Sequence, residues 1–408
     1  MQIEIMIKEL GEIITGNTPS KKKQEFWKSK DIFFVKPDSI PDNGVNIIRD
    51  SNEYISEEAR EKARIASQNS IFVTCIGSIG KIGIAAEGEF AFNQQINVVV
   101  PNKNINAKYL AYNLLFNKSR LMKIANAPVV PIINKSQFGE FTVKIESDIK
   151  KQTEIVYVLD KISNIVKHRM NELEMLDNLI KARFVERFGD PVANTMKWPV
   201  KKLKDLSVKI NSGNTPKGGA ENYVEKGITF FRSQNVWKDR LEMEDIVYID
   251  EKTHKSMKRS SLKYGDILMT KTGRINTENS SLGRAALYWG KDDMANVNGH
   301  VYFIRLKQEV NNRFILRILV SPEYRDLIRN VCVGGIDKRQ LNKEHIENFP
   351  IICPPSDMID EYVEFVEKVD KSKVISENQL KNIAILLTIC STIYINMNGK
   401  MGRVLYDN

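Results

Sequence analysis

Gly77-Ser78-Ile79-Gly80-Lys81-Ile82-Gly83 is the segment whose residue types come closest to a chemical motif. A phosphate-binding loop needs Gly-x-x-x-x-Gly-Lys and then Ser or Thr, whose hydroxyl holds magnesium. Here the spacing is short and Ile82 stands where the hydroxyl should be. The segment therefore reads as a tight turn between strands, with Lys81 free to reach a backbone phosphate. Pro37-Asp38 could open a metal-dependent nuclease site, but no Glu-x-Lys follows in residues 40–110. Clustered carboxylates that would hold the cation are not evident. Pro354-Pro355 lies between Cys353 and Ser356, so the Asn/Asp-Pro-Pro-aromatic loop of an amino-methyltransferase is missing. His168, His254, His300 and His345 show no ligand spacing. Cys75, Cys332, Cys353 and Cys390 lie far apart without Cys-x-x-Cys, which argues against zinc or a disulfide framework and for a reducing, cytoplasmic compartment.

What remains is a set of polar, Gly-containing segments that carry basic residues. Gly16-Asn17-Thr18-Pro19 leads into Lys21-Lys22-Lys23, and its copy Gly213-Asn214-Thr215-Pro216 leads into Lys217. Arg232-Ser233-Gln234-Asn235 and Thr270-Lys271-Thr272-Gly273-Arg274 each follow an apolar strand. Asn93-Gln94-Gln95 aligns with Asn298-Gly299-His300 at an offset of 205. Lys36, Thr74, Ser78, Lys81, Lys135, Lys338 and Arg339 complete the candidates. Amides and Arg or Lys can make bidentate contacts to base edges, while Lys, Ser and Thr hold phosphates. The same residue types build ordinary turns. It is the collection, on a doubled basic scaffold, that favours DNA.

Net charge is +10, and its distribution matters more than its size. Residues 1–147 hold 19 basic against 16 acidic side chains, and residues 191–355 hold 28 against 19. Residues 148–190 balance at 8 and 8, and residues 356–395 are acidic, 4 against 7. A polyanion would therefore meet the globular parts. An apolar content of 42% and a charged content of 27% are ordinary for a globular protein. The longest apolar run, residues 383–395, is interrupted by Thr388, Ser391 and Thr392 and is too short to span a bilayer.

The elements that must position these loops come in a duplicated unit. The Gly-Asn-Thr-Pro motif recurs after 197 residues, and Ile133-Asn134-Lys135-Ser136-Gln137-Phe138 is matched to Ile336-Asp337-Lys338-Arg339-Gln340-Leu341 at an offset of 203. Each second motif precedes a short apolar strand, a Ser and a long heptad-patterned helix. In residues 148–188 the seam is Ile155, Leu159, Ile162, Val166, Leu173, Leu176 and Ile180, interrupted by Arg169 and Arg183, and Gly189-Asp190-Pro191 stops the helix. In residues 357–395 it is Tyr362, Val366, Val369, Leu380, Ile383 and Leu387, with Lys373, Ser376, Cys390 and Tyr394 continuing the pattern. Each stripe needs a partner, and the economical one is the other helix, antiparallel, with an approximate two-fold axis. Strands are expected at residues 71–74, 96–100, 267–270 and 301–306, and helices at 54–66, 107–123 and 312–331 apart from Pro322. The fold class is α/β (α+β) with mixed sheets. The domains are 1–147, a helical spacer 148–190, 191–355, a second helical spacer 356–395 and a tail 396–408.

Phe184-Val185-Glu186-Arg187-Phe188-Gly189-Asp190-Pro191, followed by Trp198-Pro199-Val200-Lys201-Lys202-Leu203, resembles the specificity (S) subunits of type I restriction–modification systems. The Ser-Gly-Asn-Thr-Pro segment, the Gly-Ser-Ile-Gly-Lys-Ile-Gly turn and the Asn-Gln-Gln strand entry are similar to the family as well. The second domain departs from it, with Leu282-Gly283-Arg284 after a longer loop in place of the Gly-x-x-Gly-Lys turn. The resemblance implies two target-recognition domains, each reading half of a bipartite site on double-stranded DNA. It implies an antiparallel coiled-coil spacer that docks two methyltransferase (M) subunits, with restriction (R) subunits completing a bacterial or archaeal defence complex. It also implies that the chain has no catalysis and no cofactor of its own. S-adenosylmethionine, ATP and Mg would belong to the partner subunits. The competing classes are a self-contained DNA methyltransferase or nuclease with divergent motifs, which would bind S-adenosylmethionine alone, and a coiled-coil protein adaptor, whose association would be insensitive to salt.

Overall fold

The computed structural model describes residues 2–125, 130–275, 277, 279–335 and 338–395, with side chains from Ile3 to Leu387. The expectations for Ile336, Asp337, the tail 396–408 and the side chains of Cys390 and Tyr394 lie outside these residues and side chains. The chain divides into two compact units, Met1–Leu173 with Val374–Asn408, and Glu174–Lys373.

Unit one holds two mixed sheets. In the first, Gly11–Thr15, Ile96–Pro101, Ile71–Thr74, Ile82–Ala85 and Val45–Ile48 lie side by side in that order, and only the last pair is parallel. In the second the order is Glu53–Ile55, Ile32–Val35, Phe90–Phe92, Ile65–Ala66, with Ile32–Val35 parallel to Phe90–Phe92. Ile71–Thr74 and Ile82–Ala85 are buried along their whole length, so they read as continuous apolar runs without alternation. Unit two repeats the plan. Ser207–Ser212, Val301–Leu306, Ile267–Thr270 and Ala285–Leu287 form its first sheet. Tyr223–Val224, Val247–Ile249, Ile228–Phe231 and Ala295–Val297 form its second, again with one parallel pair, Ile228–Phe231 with Ala295–Val297. Each domain is closed by pairing its first strand with its last, Gln2–Met6 with Thr142–Glu146 and Val200–Lys202 with Pro350–Ile352.

Three expectations are corrected. Residues 54–66 are not a helix: Glu53–Ile55 and Ile65–Ala66 are edge strands flanking a 3₁₀ segment, Glu57–Lys62. Pairing of Tyr54 with Phe33 and burial of Ile55 override the local helix propensity of the Glu/Ala/Arg/Lys stretch. The helical stretch 107–123 breaks into Ala107–Phe116 and Lys118–Lys123, and 312–331 into Asn312–Leu319 and Pro322–Val331, with Ser321 capping the second piece. The third correction concerns the repeat. Asn134 caps Lys135–Glu140 with a reciprocal bond to Gln137, and the equivalent cap is Asn342, at the head of Lys343–Glu347 with His345. The copy of Ile133–Phe138 is therefore Leu341–Ile346, at an offset of 208 rather than 203. Lys338–Gln340 belongs instead to a small extra sheet with Thr272–Gly273 and Val333–Gly335.

The long helices are Ile149–Phe188 and Ser356–Ile395. In unit one, Ile155, Leu159 and Val166 share a core with Leu387 and the half-buried Ile162, Leu380 and Ile383. In unit two, Ile180, Phe184 and Phe188 share one with Tyr362, Val366, Val369 and the half-buried Leu176. Leu173 is half-buried. The start of one helix thus lies against the end of the other in each unit, which is antiparallel pairing. Two ion pairs of 2.7 Å, Arg187–Glu361 and Lys373–Asp177, flank the seam in unit two. The helices also pack on the domains, since both cores include domain residues such as Leu110 and Ile318.

Candidate nucleic-acid interface

In each unit the polar loops meet at one end of the sheets, tied by the same backbone bonds. In unit one Gly16 N donates to Ile96 O (3.1 Å), Asn17 N to Phe92 O (3.0 Å), Asn93 N to Val35 O (3.1 Å), Cys75 N to Gln95 O (2.8 Å) and Ile133 N to Cys75 O (2.8 Å). In unit two Gly213 N donates to Val301 O (2.9 Å), Asn214 N to Val297 O (3.1 Å), Asn298 N to Phe231 O (2.9 Å), Lys271 N to His300 O (2.9 Å) and Leu341 N to Lys271 O (2.9 Å). These bonds join the loops after five strand ends into one rim. The glycine of Gly-Asn-Thr-Pro is required by close approach: a Cβ would stand 2.1 Å from Asn93 O at Gly16, and 2.0 Å from Val297 O at Gly213. Thr18 then reaches across the rim to donate to Gln94 Oε1 at 2.8 Å.

Several candidates turn out to hold the rim together. Thr74 is buried, donates to Ser78 O and accepts from Lys81 N at 2.9 Å. Asn93 is buried and exchanges two bonds with Gln95. Asn235 is buried, accepts from Arg232 N at 2.9 Å and donates to Glu242 O at 3.1 Å. Lys81 is not free to reach a phosphate: its side chain is 12% exposed, sits 2.8 Å from Asp42 and donates to Pro37 O. In this structure these four act as turn fasteners. Buried donors and acceptors must be satisfied, and here the loops' own backbone satisfies them. Asn298 fastens too, accepting from His300 N at 3.0 Å.

The remaining candidates divide by their partners. Lys36 lies against Glu53 and 3.7 Å from Asp38, and its ammonium holds the Glu53 carboxyl below the usual carboxylate range. Arg232 lies on Asp245, 3.0 Å away, and the Gln234 amide bonds the same carboxylate at 2.5 Å. Those two contacts, Gln234 first, hold the Asp245 carboxyl below its ordinary value. Arg232 Nε and Arg339 Nε are buried without an acceptor among the described residues, while Arg339 Nη1 donates to Cys332 O at 3.1 Å. Lys21 and Lys23 are exposed, 3.4 Å from Glu53 and 3.9 Å from Glu25. Lys22, Ser78, Gln94, Lys135, Lys217, Arg274, His300 and Lys338 are exposed, and Ser233 and Lys271 half-exposed. In unit two, Thr272, Arg274, Ser280, Ser281 and Lys338 line an open polar cavity where the extra sheet joins the rim. The exposed Lys343, at the position in its repeat that Lys135 holds in the first, was hidden by the 203-residue alignment. The paired capping asparagines were the signal for it.

The sequence profile described as the type I restriction modification DNA specificity domain matches residues 4–175 and again 196–384. The chain belongs to this family. It is 25% identical over 403 residues to the type I restriction enzyme MjaIX specificity subunit of Methanocaldococcus jannaschii, across 92% of this chain and 88% of that protein. It is 32% identical over 174 residues to the EcoR124I/EcoR124II specificity subunit of Escherichia coli, across 40% and 42% of the two chains. The crystal structure of the type I S subunit from M. genitalium covers 98% of this chain and 97% of its own, with a TM-score of 0.56 and 13% identity, a likeness of fold. Each profile match runs from a sheet domain into the long helix that follows it, so the family's domain occurs twice in this chain, which accounts for the duplication. Among the described residues no helix is long and apolar enough to cross a membrane.

Proposed function

We propose that this chain is the DNA sequence-specificity subunit of a type I restriction–modification complex, each domain reading half of a bipartite site with its rim. The observation that carries this reading is the pair of rims. The same five backbone bonds build both, yet the exposed side chains differ: Gln94 and Ser78 in one, Gln234, Arg274, His300 and Lys338 in the other. A common frame with unlike tips suits two unlike half-sites. Direct readout needs amides and guanidinium groups at base edges, and lysines such as Lys22, Lys135 and Lys217 add sequence-independent phosphate attraction.

Duplex DNA has local dyads, so a duplicated reader addresses half-sites on opposite strands. The helices, in this reading, set the number of unread base pairs and dock two methyltransferase subunits, one per repeat. Those subunits carry S-adenosylmethionine and methylate one adenine per strand, and added restriction subunits cleave. The chain acts in the cytoplasm by placing its partners. Motif calling on adenine methylation in host DNA, with and without the gene, tests it. A bipartite motif that vanishes with the gene is expected. Methylation that is unchanged by deletion, or a motif without a gap, would reject the proposal.

A further inference from the structure

We infer that an ionic clasp, placed alike in both repeats, positions each reading domain on its spacer helix and so narrows the gap tolerated between half-sites. The inference rests on the DNA-reading function above. In unit one, Asn106 caps the helix Ala107–Phe116, and Lys108 follows two residues later. Lys108 Nζ lies 2.6 Å from Asp160 Oδ2, and the other carboxylate oxygen accepts from Tyr112 OH at 2.8 Å. Asp160 is the twelfth residue of Ile149–Phe188. In unit two, Asn311 caps Asn312–Leu319, and Arg313 follows two residues later. Its guanidinium reaches Glu367 at 3.4 Å and Asp370 at 3.2 Å. Glu367 is the twelfth residue of Ser356–Ile395.

A cation at one cap position thus meets an acid at one helix position, twice in a chain whose rims have diverged. Duplicated packing alone would not preserve opposite charges, because neither pair is buried: the side chains of Lys108 and Asp160 are 35% and 30% exposed, those of Arg313 and Glu367 31% and 48%. Exposed pairs contribute little to stability, so their retention in both copies points to orientation. An ion pair across two elements restricts how one rolls on the other. The two joints differ in what surrounds the clasp. In unit one the fully buried Gln152 accepts from Asn106 N (2.8 Å) and donates to Glu146 O (2.7 Å), a directional polar joint. In unit two Phe184, Phe188, Phe314 and Tyr362 interlock, with ring centroids 5.0 to 5.8 Å apart. Loss of the clasp therefore loosens the first domain more than the second.

The test measures binding of the full chain to synthetic duplexes that carry both half-sites at the native gap, or at a gap one base pair longer or shorter. In Lys108→Ala the preference for the native gap should fall about 1.4- to fivefold, the range set by an exposed pair of ~0.2–1 kcal/mol. Arg313→Ala should lower it less. Exchanging the charges, Lys108→Asp with Asp160→Lys, should return the preference toward wild type, which a purely structural role would not produce. An unchanged preference in Lys108→Ala overturns the inference, as does a loss that the charge exchange fails to repair. A wild-type chain indifferent to the half-sites would instead overturn the DNA reading itself.

Discussion

Replacing Gly213 with Ala should cripple one half of the recognition site and leave the other intact. A Cβ there would stand 2.0 Å from Val297 O and 2.4 Å from Asn298 O. Carbon and oxygen in their closest regular contacts settle at about 3.3–3.6 Å, so the strand end Ala295–Val297 must retreat by more than an ångström. Two bonds fail with it, Gly213 N to Val301 O and Asn214 N to Val297 O. At about 0.5–1.5 kcal/mol each, with ~1–3 kcal/mol for overpacking and up to ~1 kcal/mol returned by a stiffer unfolded chain, the net cost is roughly 1–6 kcal/mol, centred near 3. That loosens unit two locally, and it displaces Asn298 and His300 from the rim. Urea denaturation of the full chain should show the loss, and methylation motif calling should show one half-site degenerate and the other unaltered. Gly16→Ala, with its Cβ 2.1 Å from Asn93 O, should degrade the opposite half. A Gly213→Ala chain with wild-type denaturation and both half-sites unchanged would refute the account of the repeated motif.

Gln94→Ala and Arg274→Ala should change the preferred bases in different half-sites, while Lys22→Ala with Lys135→Ala should weaken binding to all duplexes and lower the salt slope by ~0.9 per lost phosphate contact; site selection and salt titration distinguish these outcomes. Acid should destabilise unit one in part through Glu53. Its depressed carboxyl contributes stability above the ordinary pKa of about 4.3, and that stability is lost as pH falls through the lower folded value. Lys36→Met, which removes the main cause, should therefore show a smaller drop in melting temperature between neutral pH and pH ~3 than wild type; an equal drop contradicts the pairing. Deleting one heptad from each long helix removes about 10.5 Å of rise, close to three base pairs of about 3.4 Å each, so the gap in the methylated motif should shift; an unchanged gap would show that the helices do not set it.

Some of this was legible in the residues. The heptad seams gave both long helices within a residue of Ile149–Phe188 and Ser356–Ile395, because a stripe of Ile, Leu and Val at alternating steps of three and four has few other uses. The Gly-Asn-Thr-Pro repeat was visible, but its cause was not: the glycine answers a carbonyl 77 or 84 residues away in the chain, at Asn93 and Val297. Residues 54–66 look helical alone, but Ile32–Val35 offers a ladder to Glu53–Ile55 and Phe90–Phe92 offers one to Ile65–Ala66. The second half of the repeat was misaligned because Ile336 to Leu341 imitates Ile133 to Phe138 in residue types, whereas capping geometry keeps Asn342 in register with Asn134.

The candidates that fasten the turns share one location. Asn93, Asn235 and Thr74 are hydrogen-bonding side chains beside strand ends, and that location is why each is spent on backbone groups the turning chain leaves open. The adjacent Gln94 and Gln234, and Ser78 four positions after Thr74, keep their exposure. The rule that follows is specific to such rims. The residue that sits deepest in the turn builds it, and its exposed neighbour is available to a ligand. On that rule the two domains can exchange specificity without refolding, because substitutions at Gln94 or Gln234 leave the ten shared backbone bonds untouched, whereas substitutions at Asn93 or Asn235 do not.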